Sequence, residues 1–507
     1  MPSNIRNKKK QKTKTVDNPK MKRKKQEILK IHKLKKTYNR KTNTFTINIT
    51  YETAPPKPTK RVIGVAESFG LGLDQQQKFT IYDNIQLKIK PKDIVYITGD
   101  SGSGKTILLK ALEKDIKKDK NLTCTNIQEI KPKPNKPIIE TVGKTLKEAL
   151  EILSKVGLND AFLFLRTYKQ LSDGQKYRYK IAKLIEKNTQ FWILDEFAAT
   201  LDRDTAKIVA FNLQKIARQK GKTVIAATTH TDLKKDLNPS VHIHKKYGKE
   251  ITIKYHKNKP AKQCSLTKQM QITEGTYKDY KKLSIFHYRT SRCPPPRKIF
   301  TLKRKKELCG VIVYSHPPPT CLGRSKVWKG NFKQLQKEIS TITRVIIHPK
   351  YRTTGLGAKL VRETLTKAGT PYVETLAVMA KYNPFFEKAG MKKITESKPD
   401  KTILKAIEKL RKIGFNPLML TNLNYNKKKI EEKGKQKIIK ILEEISAKNS
   451  AARKRLASLQ KAYPTHKEFL QKTEKMNTEN LAKTLKRISF LSQTKVYLFW
   501  KNEQSHN

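Results

Sequence analysis

The sequence predicts an α/β protein with two successive mixed domains, a basic amino-terminal arm and a helical carboxy-terminal region. Three observations carry that prediction. Over residues 61–255, short β-rich runs (94–98, 191–194, 224–227) alternate with helical patterns, as they do in domains built on a parallel sheet. The run Gly99-Asp-Ser-Gly-Ser-Gly-Lys105-Thr106 stands between the first of those strands and a helix opening at Ile107. A second α/β unit over 277–395 has its own glycine loop, Arg352-Thr-Thr-Gly-Leu-Gly-Ala358, again between an apolar strand and a helix. A chain of 507 residues also exceeds what one core holds.

In chain order, residues 1–60 carry 19 Lys+Arg against 3 Asp+Glu and are expected to form a disordered basic arm. The nucleotide-binding unit follows at 61–255. The polar, Lys-rich stretch 256–276 reads as a linker to the second unit at 277–395. Residues 396–493 are patterned in Lys, Glu and Leu as helices. In the terminal segment 494–507, Val496-Tyr-Leu-Phe-Trp500 suits a strand buried on both faces, and it is expected to complete the second sheet after a helical insertion. No run of about 18 apolar residues occurs and the Lys-rich start lacks an apolar segment, so a cytoplasmic chain without a membrane span or secretory signal is expected. Five cysteines at irregular spacing, with no CxxC, suggest neither a zinc site nor a disulfide framework.

Charge narrows the partner. Lys+Arg number 111 against 43 Asp+Glu, leaving +68. Arg occurs only 20 times, so codon bias accounts for Lys over Arg, but not for the shortage of acids. Such a surface attracts polyanions, and nucleic acid, DNA or RNA, is the expected partner.

The first glycine loop has a defined chemistry. Gly99, Ser101, Gly102 and Gly104 let backbone N–H groups wrap phosphates at a helix N-terminus; Lys105 reaches the outer phosphates and the Thr106 hydroxyl binds magnesium. Downstream come Leu171-Ser172-Asp173-Gly174-Gln175, the pair Asp195-Glu196 ending an apolar strand, Ala199-Thr-Leu-Asp202, and His230. At these spacings the set resembles the ATP-binding cassette (ABC) ATPases, with Asp173 replacing one glycine of the LSGGQ signature. The resemblance implies ATP and Mg2+ as cofactors, Thr106 and Asp195 as metal ligands, Glu196 as polariser of the attacking water and His230 as γ-phosphate sensor. It also implies that Ser172, Gly174 and Gln175 close over ATP held by a second copy, in an ATP-dependent homodimer. Only 65 positions separate Thr106 from Leu171, little room for the subdomain that grips a membrane partner, so no membrane subunit is expected. The family's Q-loop glutamine is open between Gln128, which lies early, and Glu140 in its place.

The second loop, with its strand through Ile347 and the later Asn383-Pro-Phe-Phe-Glu-Lys-Ala-Gly-Met391, resembles the GNAT acyltransferases. The resemblance implies acetyl-CoA, or another acyl-CoA, with its diphosphate on Arg352, Thr353, Thr354, Gly355, Leu356, Gly357 and Ala358 and its thiol end near Asn383. A β-bulge around Ile347 would free an N–H for the thioester carbonyl. Phe386 stands where many members place the tyrosine that protonates the leaving thiolate; it reads as core, with Tyr382, one helical turn earlier, as the candidate substitute. His287 and Tyr288, in Ser284-Ile-Phe-His-Tyr-Arg289, are further catalytic candidates; the cluster resembles Mom-type DNA-modifying acyltransferases, and a strand with solvent-facing His and Arg is the alternative. Over roughly residues 61–500 the arrangement resembles archaeal and viral fusions of an ABC ATPase with a GNAT domain. The expected activity is ATP-dependent acylation of a nucleic-acid base or other amine. The rivals are an ATP-driven nucleic-acid clamp or remodeller with a degenerate transferase, and a protein N-acetyltransferase with a regulatory ATPase.

Overall fold

The computed structural model describes residues 29–33, 38–53, 56–73, 78–287, 293–378, 380, 383–397, 401–448, 453, 456 and 465–503; Tyr288 and Tyr382 lie outside them. The basic arm is shorter than the sequence suggests. An antiparallel sheet joins β1 (Leu29–Lys33), β2 (Tyr38–Asn39), β3 (Thr44–Thr53) and β4 (Lys78–Lys88), with β3 paired to the other three. Behind the lysine runs, Phe45, Ile47 and Ile49 alternate along β3 and are buried against the helix Lys105–Lys118. A two-residue period with one apolar face makes a half-buried strand.

The six-stranded sheet has the order β10-β9-β5-β8-β7-β6, built from β5 (Ile94–Gly99), β6 (Cys124–Asn126), β7 (Phe191–Leu194), β8 (Thr223–Ala227), β9 (Val241–Lys245) and β10 (Ile251–Tyr255). Only the β9–β10 hairpin is antiparallel. β5, β7 and β8 are buried at every position, which explains their unbroken apolar runs.

The seven-stranded sheet has the order β11-β12-β13-β14-β15-β17-β16: β11 (Met270–Glu274), β12 (Pro296–Arg304), β13 (Glu307–Ser315), β14 (Ile339–Ile347), β15 (Tyr372–Ala377), β16 (Lys392–Ser397) and β17 (Lys495–Lys501). The expected linker 256–276 is therefore shorter, since β11 pairs with β12 along its length. β17 lies between β15 and β16, and Val496, Tyr497, Leu498 and Phe499 are buried on its two faces. The chain leaves this sheet at Ser397 and returns at Lys495, which are register partners. Between them, helices including Lys401–Lys412, Leu423–Lys433, Lys435–Lys448 and Thr478–Leu491 enclose a core of their own around Leu410, Ile430, Leu442 and Ile488. The helical region is thus an insertion into the second domain.

One helix serves two domains. On Arg203–Gln219, Ala206, Val209, Ala210, Leu213 and Ala217 join the core under the six-stranded sheet, while Ile208 and Phe211 join the core of the seven-stranded domain. A helix apolar on two faces is a buried helix.

Candidate active sites

The first glycine loop leaves β5 and enters the helix Lys105–Lys118 through Gly99, Gly102 and Gly104 at φ 142°, 75° and 98°. A Cβ on Gly99 would lie 1.8 Å from the Lys245 carbonyl oxygen, so only glycine fits there. Lys105 folds back inside the loop, donating to the carbonyls of Gly99 (2.9 Å) and Asp100. Burial lowers the Lys105 pKa, with Asp100 and Asp195 acting against it. A polyphosphate would give that ammonium its charge partner. The Thr106 hydroxyl donates to Asp195 Oδ1 at 3.2 Å, so the two expected magnesium ligands share one spot. Residues and geometry together fit ATP with Mg2+.

The turn after β7 holds Glu196 (φ 49°) and Ala198 (φ 57°) in the left-handed region. Three bonds fix it: Phe197 N–H to the Ala227 carbonyl (2.7 Å), Ala198 N–H to the Tyr177 hydroxyl (3.1 Å) and Glu196 N–H to Asp195 (3.0 Å). Such backbone is unfavourable for non-glycine residues and persists because its surroundings impose it. It leaves Glu196 exposed beside buried Asp195. His230 follows β8 in a loop, where Tyr96 donates to its carbonyl. β6 ends with Asn126 opposite Ile193, and Gln128 follows it in the helical turn Ile127–Glu129.

Ser172 caps the helix Asp173–Glu186, with Gln175 accepting from its N–H at 3.1 Å. A Cβ on Gly174 would meet Leu201 and the Thr200 carbonyl at 3.3 and 3.4 Å, which packs this helix start against the segment 199–202. Asp202 caps the helix Arg203–Gln219 by accepting from Thr205 N–H (3.0 Å).

The second loop has the backbone the sequence suggests but a different side-chain arrangement. β14 and β15 are parallel partners only from Ile339 to Thr341; beyond, β14 follows β13 and β15 follows β17, so the two strands splay apart. The fork is pinned by Thr375, whose hydroxyl donates to the Ile342 carbonyl (3.0 Å). At its open end Gly355 (φ 89°) begins the helix Leu356–Thr364 with no side-chain cap and open space around it. The amides there and the cleft between the strands fit a diphosphate with a long thioester arm.

Two expectations are corrected here. The bulge is at Thr343, between the pairs Val313–Arg344 and Tyr314–Ile342, whereas Ile347 pairs regularly with Gly310. The reading of Phe386 as core holds: it is buried, with its ring centroid 4.1 Å from that of Phe385. Arg352 does not point at a diphosphate. Its guanidinium donates to the carbonyls of Ile347 (3.0 Å), Asn159 (2.7 Å) and Phe286 (3.4 Å), and burial lowers its pKa. A five-donor fork suits three convergent carbonyls better than solvent. Asn383 is exposed at the start of its helical turn, and His287 is half-buried after the helix Tyr277–Ser284.

Sequence reasoning missed the residues that join the domains. Asp204 accepts from Arg304 (2.8 Å) and pairs with Lys350 (2.7 Å). Burial pushes its carboxyl up, but those two cations win and hold its pKa at about 2. Asn212, buried, donates to the Lys155 carbonyl (2.8 Å) and the Thr353 hydroxyl (3.0 Å). For Asn212 the available signal was a polar residue inside the apolar run 208–213, whereas Asp204 stands among the charged residues of the first turn and gave none.

A family model described as ABC transporter matches residues 82–199, and one for the acetyltransferase (GNAT) family matches 266–391. The chain is 31% identical over 178 residues to the cytochrome c biogenesis ATP-binding export protein CcmA of Reclinomonas americana, covering 30% of this chain and 79% of that protein. It is 28% identical over 189 residues to the methionine import ATP-binding protein MetN 1 of Oceanobacillus iheyensis, covering 31% and 55%. With the aliphatic sulfonates import ATP-binding protein SsuB of Yersinia pestis it shares 31% identity over 168 residues, covering 29% and 61%. It thus spans little more than half of the last two relatives. Among solved structures, the dimeric structure of MJ0796, a bacterial ABC transporter cassette, is 22% identical with a TM-score of 0.30, over 35% of this chain and 92% of that one. Among the described residues no helix is long and apolar enough to cross a membrane.

Proposed function

Because the chain belongs to the ABC ATPase family and carries a GNAT acetyltransferase domain behind its ATPase domain, we propose that it is an ATP-dependent N-acyltransferase whose substrate is nucleic acid. The observation that carries this reading is the placement of two phosphate-type loops in one chain of net charge +68, joined through a shared helix. A bound nucleotide supplies a hydrolysable phosphoanhydride, and a bound acyl-coenzyme A supplies an electrophilic thioester carbon. Lys105 and the loop amides bind the outer phosphates, Thr106 and Asp195 hold magnesium, Glu196 orients water and His230 senses the γ-phosphate. Ser172 and Gly174 serve the ATP of a second copy, so ATP closes a homodimer. In the second domain, amides 355–358 would bind the coenzyme diphosphate, and the register irregularity at Thr343 would offer backbone N–H to the acyl carbonyl.

A transport role is disfavoured because the segment between the first loop and the signature touches this chain's own second domain: Asn159 accepts from Arg352 and donates to the Pro349 carbonyl. The clamp reading keeps one supporting observation, the loss of Arg352 and Phe386 from the roles the GNAT pattern gives those positions. Mass spectrometry of nucleosides from cells with and without the protein separates these. An acylated nucleoside that disappears with the gene supports modification; identical nucleosides, together with ATP-dependent retention on DNA or RNA, would favour the clamp. Retention should weaken steeply with salt, by about 0.9 counterion per phosphate neutralised on duplex DNA.

A further inference from the structure

The helix Arg203–Gln219 begins at the segment 199–202, which packs on the signature helix. Its first turn is tied to the His230 loop, since Arg203 pairs with Asp232 and Lys207 lies 3.7 Å from the same carboxylate. The same turn carries Asp204, which faces the other domain and bridges Arg304 and Lys350. Arg304 in turn lies over the Tyr351 ring, at 5.3 Å. Two turns on, Asn212 holds Thr353, which sits at φ 69°, a conformation a threonine keeps only under constraint. A second strut reaches the same loop. On the signature helix Arg178 donates to the carbonyls of Gly174 (3.3 Å) and Gly157 (2.8 Å), and two residues beyond Gly157, Asn159 accepts from Arg352 and donates to the Pro349 carbonyl (3.4 Å).

The loop 349–355 is therefore held by two ATPase segments tied to the signature helix, the helix 203–219 and the stretch at Asn159. We propose that the nucleotide state of the ATPase sets the conformation of this loop and so its affinity for acyl-coenzyme A, with Asp204 and Asn212 as positioning residues. The inference rests on reading 349–358 as the coenzyme site. Because the shared helix is packed into both cores, a shift at its first turn reaches both domains; packed interfaces respond as discrete arrangements, not as elastic continua.

The coupling is reciprocal in binding free energy. With the full chain, acetyl-CoA affinity measured by calorimetry should change by at least about 5-fold when a non-hydrolysable ATP analogue with Mg2+ is saturating, and analogue affinity should change by the same factor when acetyl-CoA is saturating. Asp204→Asn and Asn212→Ala, each checked for a cooperative melt, should bring both ratios close to 1. A wild-type ratio within 2-fold, or folded variants that keep the full ratio, would overturn the coupling while leaving the coenzyme site standing. Acetyl-CoA that fails to bind in any nucleotide state would overturn both. The wild-type reciprocity requires no variant, so a variant that does not fold leaves the test intact.

Discussion

The two glycine loops start alike and end differently. Each follows an apolar strand, and each opens a helix through a glycine in the left-handed region, Gly104 at φ 98° and Gly355 at φ 89°. The cation of the first, Lys105, turns into its own loop, onto the Gly99 and Asp100 carbonyls. The cation of the second, Arg352, holds the end of its own strand at Ile347 and also reaches two other segments, at Phe286 and, in the ATPase domain, Asn159. A glycine motif thus specifies backbone that can receive phosphate, while the work of the charged residue beside it is settled by what the fold brings near.

Removing β17 gives the largest expected difference between the loops. Truncation before Lys495 takes out a strand bonded on both sides, at the ladder that ends the β14–β15 fork. Acetyl-CoA binding should be lost altogether, whereas ATP-analogue binding should persist, because that sheet contains no strand after β10. Full-strength acetyl-CoA binding by the truncated chain would contradict the account of the second loop.

Within the ATPase, Glu196→Gln removes the group best placed to polarise water and should lower ATP turnover by about 100-fold or more. It should also trap an ATP-bound dimer, seen by light scattering; a monomer in saturating ATP would count against the two-copy arrangement.

The cations themselves should then separate. Lys105→Ala should weaken ATP binding with little change in the melting temperature of the nucleotide-free protein. Arg352→Ala should instead destabilise the protein by about 1–3 kcal/mol, since partly buried carbonyls of three segments lose their common donor. Equal melting temperatures for the two variants would break the comparison.

A smaller effect concerns acid stability. The Asp204 pKa is depressed to about 2 from an ordinary 3.8 by Arg304 and Lys350, so its contribution is complete above about pH 4 and fades as pH falls through the interval to about 2. The difference amounts to roughly 2 kcal/mol. Asp204→Asn should lose stability at pH 7 and less at pH 2; denaturant melts at both values measure it.

The ATPase site was legible because its parts are short runs of sequence whose spacing survives folding: Gly99–Thr106, Leu171–Gln175 and Asp195-Glu196. The β17 pattern was legible for a related reason, since apolar residues at successive positions suit only a strand covered on both faces. Other features depend on which face meets which neighbour. Phe45, Ile47 and Ile49 form a plain alternation, masked by the lysines around it. The roles of Asp204, Asn212 and Arg352 arise only when the helix 203–219 is shared between two cores, which no single-segment periodicity encodes. The bulge at Thr343 likewise follows from register against β13 and not from the residues of β14 alone.

The central claim is tested most directly by incubating the full chain with radiolabelled acetyl-CoA and duplex DNA, single-stranded DNA, RNA or a basic peptide, each with and without ATP and Mg2+. The account predicts label in one of the nucleic acids, dependent on ATP and lost in Lys105→Ala. Label in the peptide alone, or in a polymer at the same rate without ATP, would contradict it.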